Sequence, residues 1–133
     1  MGFFDFLGAK ETSPRGVYSI QAEFHPYSLR PNTDDFVELE INLQNISQEK
    51  ELTSVRLEVP KGIGFVRSAL KQDHEVRLGV LEPSEKKFLK IQIWGTSRTE
   101  KGTYAIDVYV VAHHQDYSHV RNHSHKKLSI RVE

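Results

Sequence analysis

From Val17 onward, apolar side chains recur at every second position, the spacing that gathers them on one face of an extended strand. Tyr18, Ile20, Ala22 and Phe24 alternate with Ser19, Gln21 and Glu23 until His25 and Pro26 interrupt the run. Val37, Leu39, Ile41 and Leu43 alternate with Glu38, Glu40, Asn42 and Gln44, and Asn45 to Lys50 reads as a turn. Val55, Leu57 and Val59 alternate with Arg56 and Glu58 up to Pro60, which has no N–H for a sheet ladder and closes the strand. If these two strands pair, Glu38, Glu40, Arg56 and Glu58 share a solvent face. After a turn at Lys61 to Gly64, the stretch from Phe65 to His74 has no clear period. Val76, Leu78 and Val80 form another row, followed by a turn around Glu82, Pro83 and Ser84. Leu89, Ile91 and Ile93 come next, with Phe88 and Trp94 on the opposite parity and Trp94 expected to cap one end of the core. Two rows complete the series: Tyr104, Ile106, Val108, Val110 and Ala112, then Leu128, Ile130 and Val132. No helical period of any length intervenes.

About seven short strands, each with one apolar face, are what a two-sheet antiparallel sandwich needs in order to bury those faces together. A closed barrel is the alternative. The 133 residues suit one domain, which the pattern divides into an N-terminal segment, 1–16, and a β-sandwich, 17–133. Hydrophobic residues at 38% and charged residues at 27% are the balance of a chain that folds. Eighteen Lys plus Arg offset eighteen Asp plus Glu, so no overall field draws the protein to nucleic acid or an anionic membrane. With no cysteine there is no disulfide, thiol nucleophile or thiolate zinc site.

Phe3, Phe4, Phe6 and Leu7 form the densest apolar cluster, far short of the roughly 20 residues of a membrane-spanning helix. The first ten residues lack the ordered parts of a secretory signal, so the expected location is cytoplasmic. Phe6 also stands where a myristoylation motif needs Ser or Thr. The Phe segment is expected to dock on the domain or fray, with peripheral contact to a membrane or a partner as the other reading.

The segments LRPNTDDFVELEINLQN, LTSVRLEVPKGIGF, VRLGVLEPSEKKFLKIQIW and GTYAIDVYVVA together resemble immunoglobulin-like sandwich modules of the CARDB kind, over roughly Val17 to Glu133. The resemblance rests on Asn45 closing one strand and on Pro60 and Gly62 closing the next. It rests also on the Gly79, Leu81, Pro83 turn and on Gly102 and Tyr104 opening the penultimate strand. It implies an all-β, immunoglobulin-like antiparallel β-sandwich of about seven strands, with Tyr104 placed as a tyrosine-corner residue bonding nearby backbone. A second likeness, carried by the Phe-containing segment MGFFDFLG ahead of the first strand, is to arrestin-like sandwiches of the sporulation-control type. Both resemblances imply an interaction scaffold and no catalytic residues, and fold alone does not assign function.

Five of the seven histidines, His113, His114, His119, His123 and His125, fall in HHQDYSHVRNHSH. If even positions of the two flanking strands face inward, His113, His123 and His125 share the outer face near the hairpin tip, and His119 and Asp116 sit in the turn. Cross-strand Cβ atoms about 4.5–5.5 Å apart would let imidazoles meet zinc or copper. Two other readings stay open: a solvated hairpin rich in histidine, and a partner surface that turns positive in mild acid. The same parity turns Tyr109 and Val111 outward, and beside Tyr117 they would seed a protein interface or a homodimer.

Other chemistry is absent from the pattern. Asp34 and Asp35 lie in a turn, where Asp satisfies local backbone donors. Ser28, Ser84 and Ser97 lack a nucleophile-elbow context, and no phosphate-binding loop occurs. Lys86, Lys87 and Lys90 near Phe88 and Trp94 suggest base stacking, but Glu82 and Glu85 offset the charge and the aromatics are expected in the core, so nucleic acid is not the expected partner. The sequence therefore predicts a non-enzymatic interaction module without a cofactor, with a histidine-hairpin metal protein as the alternative.

Overall fold

A computed structural model describes residues 16–133. The expectations for Phe3, Phe4, Phe6 and Leu7 fall outside the described residues. Nine strands form among the described residues: β1 (Tyr18–His25), β2 (Ser28–Leu29), β3 (Asp35–Asn45), β4 (Glu51–Glu58), β5 (Ile63–Gly64), β6 (Asp73–Leu81), β7 (Lys86–Gly95), β8 (Gly102–His113) and β9 (Val120–Val132). Seven are long and correspond to the apolar rows; β2 and β5 are two-residue additions at sheet edges. One sheet runs β1-β3-β7-β5 and the other β2-β9-β8-β4-β6, antiparallel except where β2 joins β9. No helix among the described residues is long and apolar enough to cross a membrane.

Burial of the alternating rows holds the sheets together. Val37, Leu39, Ile41 and Ile93 from one sheet and Val55, Leu57, Ile106, Val108, Val110 and Ile130 from the other are fully buried in one cluster. Burying a side chain of this size contributes about 1.5–3 kcal/mol. Tyr104 packs against the same cluster and its hydroxyl donates to the Glu100 carbonyl at 2.7 Å, the tyrosine-corner bond.

The pairing of β3 with β4 does not occur. β3 lies between β1 and β7, and β4 lies between β6 and β8 in the opposite sheet. Asn45 makes the crossing. Its buried Nδ2 donates to the carbonyls of Glu49 and Leu81, and its Oδ1 accepts from the Ser47 amide, so one side chain ties the β3–β4 crossover to the end of β6.

Two bulges break the strict alternation. In β6, Thr53 faces Gly79 and Ser54 faces Arg77, leaving Leu78 without a partner; Gly79 takes φ +77, a left-handed value that suits glycine. The parity reverses beyond it, so Val80 is 48% exposed and Leu81 enters the core in its place. In β9, Ala112 faces Asn122 and His113 faces Val120, which leaves Arg121 as the extra residue. Arg121 forms an ion pair with buried Glu51.

Phe88 and Trp94 are not core residues. Both lie on the outer face of the four-stranded sheet, where Phe88 is half-exposed and Trp94 packs its ring 4.7 Å from that of its cross-strand neighbour Phe36. The two-residue period turns them away from the face on which Leu89, Ile91 and Ile93 meet the interior. Between β5 and β6, which the pattern left unassigned, the chain folds back so tightly on Gly64 that a Cβ there would stand 2.7 Å from the Ala69 carbonyl carbon.

Candidate interaction surface

The outer face of the five-stranded sheet is assembled by register. Tyr109 on β8 lies between Arg56 on β4 and His125 on β9; one step along, Val111 lies between Ser54 and His123. The period-two parity therefore places Tyr109, Val111, His123 and His125 on one face, as expected. The rings of Tyr109 and His125 stack at 4.5 Å with 10° between their planes. His125 Nε2 also lies 2.8 Å from Asp107 Oδ1, a second contact that fixes the imidazole. Burial, then the Asp107 and Glu58 carboxylates, push the Tyr109 phenol above its ordinary value.

His113 departs from the expectation of an exposed imidazole. It keeps the outward parity but is only 7% exposed, because the β8–β9 connection folds back over it. Tyr117 supplies the cover: its ring meets His113 edge-on at 5.0 Å, and its hydroxyl accepts a hydrogen bond from the Gly79 amide at 2.9 Å. Arg77 places its guanidinium 4.7 Å from the Tyr117 ring centroid, a cation–π contact that closes the far side. The β6 bulge makes this docking geometry available. Beneath the ring, His113 Nε2 bonds Ser54 Oγ at 2.7 Å, while Nδ1 is buried without a partner.

The predicted metal ligands are thus dispersed among other contacts. His113 bonds Ser54 under Tyr117, His125 bonds Asp107, and His123 stands exposed opposite Val111. In the connection, His119 Nδ1 is 2.7 Å from Asp116 Oδ1, which also accepts from the Ser118 amide and hydroxyl. The Ser118 hydroxyl, the His119 imidazole and the Ser118 amide hold the Asp116 carboxyl down at about 2. Among the described residues, the donors that converge as a group of three are instead Glu23, His25 and Glu40, on the other sheet. Sequence reading missed them because Glu23 and His25 share one face of β1, whereas Glu40 joins them only through the β1–β3 register.

The Ser54–His113 pair does not have the organisation of a catalytic dyad that meets substrate. Ser54 is 2% exposed and no carboxylate orients Nδ1. A cavity of about 380 Å³ borders this site, lined in part by Glu51, Val80, His113, His114 and Arg121. The Glu51–Arg121 ion pair occupies its charged wall.

No family model matches the chain, and no curated protein matches it. Solved structures do. A fragment of Escherichia coli alpha-2-macroglobulin, from domain MG7 to the C-terminus, aligns with a TM-score of 0.61 at 17% identity over 88% of this chain. The chain spans 17% of that fragment. The fold is an immunoglobulin-like β-sandwich. Both kinds of module that the sequence resembles occur among the matches. The CARDB domain of a Pyrococcus furiosus protein aligns with a TM-score of 0.46 at 16% identity, covering 99% of this chain and 93% of that one. The sporulation control protein of Bacillus subtilis aligns with a TM-score of 0.46 at 11% identity, covering 88% and 49% respectively. At 17% identity the alpha-2-macroglobulin likeness speaks to the fold alone, and the two matches with TM-scores of 0.46 carry no argument.

Proposed function

We propose that this sandwich is a non-enzymatic interaction module that binds a protein partner through the outer face of its five-stranded sheet. The observation that carries the reading is the Tyr109–His125 stack beside Val111, presented on a sheet face and flanked by Arg56 and His123. Tyrosine and arginine are the residue types that dominate binding energy at protein interfaces, and a stacked aromatic loses little conformational freedom on docking. Tyr117 serves the same face indirectly, by pinning the hairpin connection to β6.

The test compares the wild-type chain with a Tyr109→Ala, Val111→Asp double variant as bait, with folding checked by circular dichroism. A protein captured by the wild type and lost by the variant supports the reading. Equal capture by both baits overturns it. Sedimentation of the wild type at neutral pH identifies the case in which the captured partner is a second copy.

A further inference from the structure

The other sheet carries a different kind of chemistry. On the outer face of β1 and β3, Glu23 stands directly opposite Glu40 and His25 directly opposite Glu38. Like charges in directly opposed cross-strand positions destabilise a sheet. Glu40 also has Lys90 opposite it on β7, but that ammonium lies toward the Phe88 ring, 5.9 Å from its centroid. The His25 imidazole reaches both carboxylates. Its Nε2 is 3.0 Å from Glu23 Oε1 and 3.4 Å from Glu40 Oε1, and all three donor atoms lie within 4.8 Å of one another. One ring nitrogen carries at most one proton, and its hydrogen bond goes to Glu23, leaving the Glu40 carboxylate with the longer contact.

We propose that Glu23, His25 and Glu40 form a binding site for a divalent transition metal of the zinc class. The spacing suits the ion. Two ligands about 2.0–2.1 Å from a tetrahedral zinc stand about 3.3 Å apart, close to the separations already present. A dication placed among these atoms accepts the imidazole lone pair and neutralises the opposed carboxylates, which a proton on Nε2 does for only one of them. The donor set of one imidazole and two carboxylates favours zinc, manganese, iron, nickel or copper over magnesium or calcium, which take oxygen ligands. Glu40 is the most enclosed of the three, with a side chain 23% exposed, while Glu23 at 67% faces solvent, so water completes the coordination shell. Glu38, the register partner of His25, adds a further negative charge beside the ion. The site lies on the sheet opposite the proposed interaction face and does not depend on that assignment.

The experiment titrates zinc chloride into the chelator-stripped 133-residue chain by calorimetry and follows the imidazole resonances by NMR. One saturable zinc equivalent at micromolar metal is expected, with displacement of the His25 imidazole signals and no binding of magnesium under the same conditions. His25→Ala and Glu40→Gln weaken that equivalent by on the order of tenfold or more, whereas His123→Ala with His125→Ala leaves it intact. All four substitutions are at strand surface positions, and circular dichroism checks their folds. Absence of saturable binding, unchanged affinity in His25→Ala and Glu40→Gln, or displacement confined to the hairpin histidines each overturns the proposal. The wild-type NMR measurement decides even if a variant fails to fold.

Discussion

His113 Nε2 and Ser54 Oγ, 59 positions apart in the chain, share a 2.7 Å hydrogen bond beneath the ring of Tyr117. That bond exists because two strands of one sheet bring the residues together and because the β8–β9 connection closes over them. The lid is held by the Tyr117 hydroxyl on the Gly79 amide and by Arg77 on the ring. Tyr117→Phe keeps the ring but leaves the Gly79 N–H without its acceptor, at a cost of about 1 kcal/mol. Tyr117→Ala also removes the cover from His113 and costs more. Thermal denaturation is expected to rank wild type above Tyr117→Phe above Tyr117→Ala, with faster amide exchange at Gly79 in both variants. Equal stabilities would show that the lid contributes nothing to the fold.

Asn45 is the hinge between sheets. Replacing it with Ala removes two donations to backbone carbonyls and one acceptance from a backbone amide, in a place where water has little access. A loss of about 2–4 kcal/mol in denaturant unfolding is expected. Asn45→Asp should not rescue it, because a carboxylate cannot donate to the Glu49 and Leu81 carbonyls. Recovery of wild-type stability in Asn45→Asp would contradict this account.

Tyr18 predicts an alkaline limit. Its side chain is fully buried, its hydroxyl lies 2.6 Å from Thr53 Oγ1, and burial pushes the phenol up to about 12 from 10.0. Between those two values the unfolded chain gives up the proton while the folded one retains it. Stability therefore falls as pH rises through this window, by about 2–3 kcal/mol from this group, and is fully present below it. Urea unfolding of wild type and Tyr18→Phe at a series of alkaline pH values isolates the effect. The wild type should lose stability more steeply than the variant, and parallel slopes would rule the assignment out.

The legible and illegible parts of the candidate surface differ by a single physical cause. Parity along β8 and β9 places Tyr109, Val111, His123 and His125 correctly, since a strand turns alternate residues to opposite faces whatever its neighbours are. The same parity cannot reveal that Arg121 is an extra residue without a register partner on β8, or that Tyr117 returns over His113. Val80 shows this in the smallest compass: its row is apolar in sequence, but the bulge at Gly79 turns it outward and sends Leu81 inward.

Taken alone, the sequence determined the class of structure, the seven long strands and the identity of most core rows, because each depends on the two-residue repeat of an extended backbone. Tertiary structure decided which strands are neighbours, where the bulges fall and which side chains meet. Those outcomes depend on contacts between distant segments, so Glu40 finds Glu23 and His25 through strand register, and Ser54 finds His113 through the packing of β4 against β8.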